Sequence, residues 1–118
     1  MTVLLVGIGS ALGAAGRYAI NRYFEKRPHP FPKATLVINI TGAFILGFFV
    51  GMQMDHTSYL FFGTGVMGGY TTFSTMNFEL FLLAKDNRRA FFIYFLSTYV
   101  VGLLASFLGI LCGTMLSR

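Results

Sequence analysis

Of the 118 residues, 55% are hydrophobic and only 11% are charged, about half the charged share of a soluble domain. The net charge of +5 sits in short stretches beside apolar runs. Lys and Arg placed there set membrane orientation and meet lipid phosphate, so the charge is no sign of nucleic-acid binding. The lone Cys112 cannot make an internal disulfide, and without a metal cluster or a nucleophile–base pair no enzyme is expected.

Four apolar windows fill most of the chain: Thr2–Ile20, Ala34–Met54, Ser58–Ala84 and Ala90–Ser117. Each supplies the ~20 apolar residues that cross a hydrocarbon core. The expected fold class is therefore an all-α membrane protein, one four-helix transmembrane domain over residues 1–118. The helices are predicted at about 2–22, 34–54, 58–84 and 90–116. No basic residue precedes the first apolar run, and Arg17 falls within it, so an uncleaved helix is expected rather than a signal peptide.

The first helix carries Gly9 and Gly13 four apart, on one face, where another backbone can approach. Arg17 near its end must find carbonyls, a carboxylate or the membrane interface. The connection Asn21–Lys33 is basic and proline-rich, with His29 expected in solvent. In the second helix, Asn39 is central enough to be costly against lipid and should face protein or water. It can serve as an interhelical hydrogen bond or as an amide donor to a passing anion. Gly42 and Gly47 predict tight packing there.

The third apolar run contains Gly63, Gly65, Gly68 and Gly69, followed by Thr71, Thr72, Ser74 and Thr75. Each glycine weakens a helix by about 1 kcal/mol against alanine, and the pair Gly68–Gly69 permits backbone angles that other residues avoid. A break mid-membrane is predicted. Freed backbone groups persist at that depth only where protein or water satisfies them, so the break is a candidate site. If the helix resumes, Thr72, Thr75 and Glu79 share a polar stripe. In the fourth helix, Ser97, Thr98, Tyr99 and Ser106 offer a weaker line of hydroxyls that can equally bond their own backbone.

Gly68-Gly69-Tyr70-Thr71-Thr72-Phe73-Ser74-Thr75, with Glu79 after it, resembles the third-helix signature of the Fluc (CrcB) fluoride channels. Gly9–Arg17, Thr35–Asn39 and Gly42 are similar to that family's first- and second-helix patterns, and the likeness covers essentially the whole chain. The resemblance implies an antiparallel dimer in the cell membrane, conducting fluoride out of the cell through two pores around one structural sodium ion. It implies backbone carbonyls of Gly68 and Thr71 as sodium ligands. It implies Asn39, Phe73, Ser74, Thr75 and Met76 as fluoride-pore positions, with Arg17, Glu79 and Tyr99 in polar-track or structural roles. Met76 stands where the family usually has a second phenylalanine. Two other readings are a small multidrug proton antiporter, which resembles this chain in length but needs a carboxylate in helix 1, and a non-conducting partner subunit.

Charge placement adds one expectation of its own. With four spans, Arg22, Lys26, Arg27, Lys33, Lys85, Arg88 and Arg89 fall on one side of the membrane, against Arg118 on the other. That bias predicts a fixed orientation with both termini outside. An antiparallel dimer would then take a related chain of opposite bias as partner.

Overall fold

Among the described residues, three helices are long and apolar enough to cross a bilayer, and the chain is a multi-pass membrane protein. In the computed structural model, which describes residues 2–25 and 32–117, every regular element is helical. Helix α1 is Thr2–Glu25 and α2 is Lys33–Gly51. The third apolar run comes in two helical pieces. Its first half, α3, runs from the turn His56–Tyr59 through a π-helical stretch, Leu60–Met67, to a last α turn, Gly68–Tyr70. Its second half, α4, is Phe73–Asp86. Helix α5, Arg88–Ser117, carries a second π-helical stretch at Ser97–Val101. Most of the proline-rich connection, including His29, lies outside the described residues.

Side-chain caps fix where the later helices begin. Asp55 accepts from the Ser58 N–H at 3.1 Å to start α3, and Thr72 accepts from the Thr75 N–H at 3.3 Å to start α4. Asn87 accepts from the Ala90 N–H at 3.1 Å to start α5. Short polar side chains of this kind satisfy the N–H groups that a helix start leaves unpaired. The cap hydrogen bonds from Ser58 hold the Asp55 carboxyl below its ordinary 3.8. Helix α2 ends at Gly51, short of the predicted 54, because Gln53 takes a left-handed φ of 56° that no helix can continue through.

The bundle is two close helix pairs. On α1, Gly9 and Gly13 lie against the backbone of Phe61, Gly65, Val66 and Tyr70, as their spacing predicts. On α2, Gly47 and Gly51 face the carbonyls of Ser106 and Ile110, while Gly109 and Gly113 of α5 face those of Phe44 and Phe48. Lipid is as apolar as a side chain, so such contacts hold through close van der Waals packing and not through the hydrophobic effect. A third cluster joins α4 to α5, where Met76, Leu80 and Tyr94 are buried with Leu36, Leu83 and Phe91 around them. The connectivity brings Arg22, Lys33, Lys85, Arg88 and Arg89 to the same end of the bundle.

The helix does not break at Gly68 and Gly69. Both are helical, Gly68 at φ −62° and ψ −39°, and no described glycine has a positive φ. The chain leaves the helix one residue later, with Thr71 at φ −79°, ψ 160° and Thr72 at φ −146°, ψ 116°. The glycines serve proximity instead. A Cβ on Gly69 would run into the backbone of Ser10, so its absence lets α3 press against α1.

Candidate functional site

At the break, the backbone hydrogen bonds that would continue α3 are taken over by side chains. Thr71 still closes the helix, its N–H and its hydroxyl both donating to the Met67 carbonyl at 3.0 Å. The next N–H, that of Thr72, donates instead to Oδ1 of Asn39 at 3.0 Å. In return Nδ2 of Asn39 donates to the Thr72 carbonyl at 3.1 Å. This paired geometry fixes the amide's orientation, since the reverse would set NH2 against N–H. One N–H of the Asn39 amide remains for another acceptor. Asn39 therefore acts first as a bridge from α2 to the broken backbone.

Tyr70 makes a second bridge. Its hydroxyl lies 2.9 Å from Oγ1 of Thr41, which itself donates to the Val37 carbonyl at 2.7 Å. The end of α3 is thus tied to α2 on both sides of the break.

A cavity of about 500 Å³ opens at this point, lined by Asn39, Thr64, Gly68, Thr71, Thr72, Phe73 and, from α5, Ser106. Gly68 is exposed, and nothing stands within 4 Å of where a Cβ would lie. Phe73, the first residue of α4, leaves 67% of its surface exposed beside the cavity. Of the sequence-predicted residues, then, Asn39, Gly68, Thr71 and Phe73 gather at the break. Ser74 and Thr75 follow on the exposed part of α4.

Met76 lies elsewhere. It is 3% exposed, packed with Leu80 and Tyr94 inside the subunit, and does not line the cavity. Met76 and Leu80 are one helical turn apart, so a residue on Leu80's face turns inward with it. Arg17 is half-buried on α1. Tyr99 is exposed in the second π-helical stretch, with its ring 4.9 Å from that of Phe95.

Glu79 is half-buried and accepts from the Tyr94 hydroxyl at 3.3 Å, with the Thr35 hydroxyl on the same carboxylate. Tyr94 escaped the sequence reading, and Thr35 entered it only within the second-helix pattern, although it stands one turn before Asn39 and so shares its face. Thr64, a cavity hydroxyl within the π-helical stretch, escaped it too; π-helical turns recur at functional sites but leave no sequence pattern of their own.

Residues 4–110 match the family model described as CrcB-like protein, Camphor Resistance (CrcB). The chain belongs to the CrcB family. Three relatives show how closely the CrcB likeness follows the whole length. A protein of Listeria monocytogenes named fluoride-specific ion channel FluC 1 is 51% identical over 112 residues, covering 93% of this chain and 95% of its own. One of Lactobacillus acidophilus, named fluoride-specific ion channel FluC 2, is 50% identical over 117 residues, covering 92% and 94%. A third, of the same name from Lactobacillus johnsonii, is 47% identical over 118 residues, covering 98% and 99%. The CrcB match takes in α1 to α4, the break and the first part of α5.

Proposed function

We propose that the chain is a subunit of a fluoride-specific ion channel of the cell membrane, letting fluoride leave the cell and so lowering its cytoplasmic level. The observation that carries this is the break itself, which sets an exposed aromatic ring, a primary amide and several hydroxyls around one cavity. Such groups bind an anion weakly and at several points, which is what conduction needs. The edge of Phe73 presents the positive part of its quadrupole. Asn39 has one amide N–H to spare, and Ser74 and Thr75 continue the path along α4. Met76 backs the pore from inside the subunit. The names of relatives about 50% identical over nearly the whole chain support fluoride as the ion.

The working unit in this reading is an antiparallel dimer. An exposed Gly68 and a half-open cavity at the break are what a second subunit would cover. A structural sodium ion suits the donor set here, because Gly68 and Thr71 both line the cavity at the break and a hard cation takes backbone oxygen ligands. The ion would be held there and not transported. The lopsided Lys and Arg count supports a fixed orientation, and so a partner chain inserted the other way. Liposomes holding the purified chain, or the chain with such a partner, should release fluoride far faster than chloride. Equal release of the two anions, or none from either preparation, would refute the channel reading.

A further inference from the structure

We infer that Asn39 and Thr72 are positioning residues that create the cation site, by removing the hydrogen-bond donors that would otherwise occupy its two carbonyls. The inference rests on the dimeric channel reading above but concerns a different step, how this chain's backbone becomes a ligand.

In an unbroken α-helix each carbonyl accepts from the N–H four residues on. For Gly68 that donor is the N–H of Thr72, and for Thr71 it is the N–H of Thr75. Both are diverted. The Thr72 N–H donates to Oδ1 of Asn39 at 3.0 Å, and the Thr75 N–H donates to Oγ1 of Thr72 at 3.3 Å. Asn39 secures the arrangement from the other side by donating Nδ2 to the Thr72 carbonyl at 3.1 Å. The carbonyls of Gly68 and Thr71 are thereby without these two donors, and both residues line the cavity at the break. The carbonyl end of α3 also points there, and the end of a helix that carries unpaired carbonyls favours positive charge.

Thr72 is central to this account although it would touch no ion. It gives one N–H to Asn39 and one hydroxyl to the start of α4, and it is among the few buried polar side chains described. If either diversion failed, the span could wind back toward a continuous helix and the cation would have to compete with an internal N–H. Asn39 on this view does two jobs, offering one N–H to the pore and holding the break with the rest of its amide.

The test is sodium-dependent stability of the purified full-length chain, read as the thermal midpoint by circular dichroism. Sodium chloride is compared with N-methyl-D-glucamine chloride at matched ionic strength. Binding to the folded state alone raises the midpoint. The parent chain should show that rise, and Thr72→Ser, which keeps the hydroxyl, should show it too. Thr72→Val is close in shape but accepts no hydrogen bond, and Asn39→Leu removes the amide. Each should raise the sodium concentration needed for half the effect by about tenfold or more. Should Asn39→Leu not fold, the Thr72→Val and Thr72→Ser pair decides. Sodium responses unchanged in Thr72→Val, or in a folded Asn39→Leu, would overturn the inference and leave Asn39 as a pore donor only. A parent chain with no sodium response, either alone or with the partner chain of opposite orientation, overturns it as well. Fluoride efflux from the same parent preparation judges the channel reading separately.

Discussion

Phe73→Ile separates conduction from folding, because the structure puts this ring at the edge of the fold. With 67% of its surface exposed, Phe73 buries only a third of itself within the subunit. Isoleucine keeps much of that contact, and lipid or a partner subunit is as apolar for one as for the other. The stability change in the single chain should stay within about 0.5 kcal/mol, the range of surface substitutions. The ring edge is lost completely. An edge contact of the size seen between aromatic rings, about 0.5–1.5 kcal/mol, is up to about tenfold in rate if it acts at the barrier. Fluoride efflux from liposomes, measured with an ion-selective electrode alongside the thermal midpoint, reads both quantities on one preparation. A variant with normal efflux would refute the pore role of Phe73. One whose midpoint collapses would refute the claim that the ring is dispensable to the fold.

Other substitutions follow from the same packing. Met76→Phe should destabilise the chain by about 1–3 kcal/mol, read by thermal unfolding, since a larger ring must enter the cluster with Leu80 and Tyr94. Gly13→Val should cost about 3 kcal/mol or more because its Cβ would meet the Val66 carbonyl, whereas Gly7→Ala, with nothing within 4 Å, should be neutral. The Asp55 carboxyl is held below 3.8 by its hydrogen bonds with Ser58, so its cap is present above that pH and is lost as pH falls through the lowered value. Amide exchange at Ser58, referenced to residues within α2, should rise at that acid end and nowhere above it. Single cysteines placed at the two ends of the bundle, in a background with Cys112 replaced, should label from outside the cell at the termini only; equal labelled and protected populations would refute a fixed orientation.

Much of this architecture is legible in the residues because lipid leaves few options. An apolar run without charge has to be a helix at membrane depth, and paired glycines four apart have to face a neighbour. Asn39 is conspicuous for the same reason. Its partner is not, since the bond runs to a backbone 33 residues further along, and sequence carries no record of which peptide a side chain will meet. The location of the break is misread by a single residue type. Gly68 and Gly69 suggest unusual angles, yet they use their missing side chains for contact with α1, and the extended backbone falls to two threonines. Met76 is a subtler case. Family likeness gives it a pore position, and in the single subunit it is buried with Leu80 and Tyr94.

The divided third span bears on how the protein is made. A membrane-inserting machine releases into lipid those segments that are long and apolar enough by themselves, and among the described helices α1, α2 and α5 meet that measure as single continuous helices. Helix α4 has 14 residues, about 21 Å of rise against a hydrocarbon core about 30 Å thick. Helix α3 is no better placed alone. The third span thus depends on chain already in the membrane: α1, whose glycines receive α3, and Asn39 of α2, which takes up the polar backbone that the break exposes. A weakened α1 glycine or a lost Asn39 would then leave copies with the span stranded on one side, visible as protease-sensitive chains before any defect in the mature channel is measured.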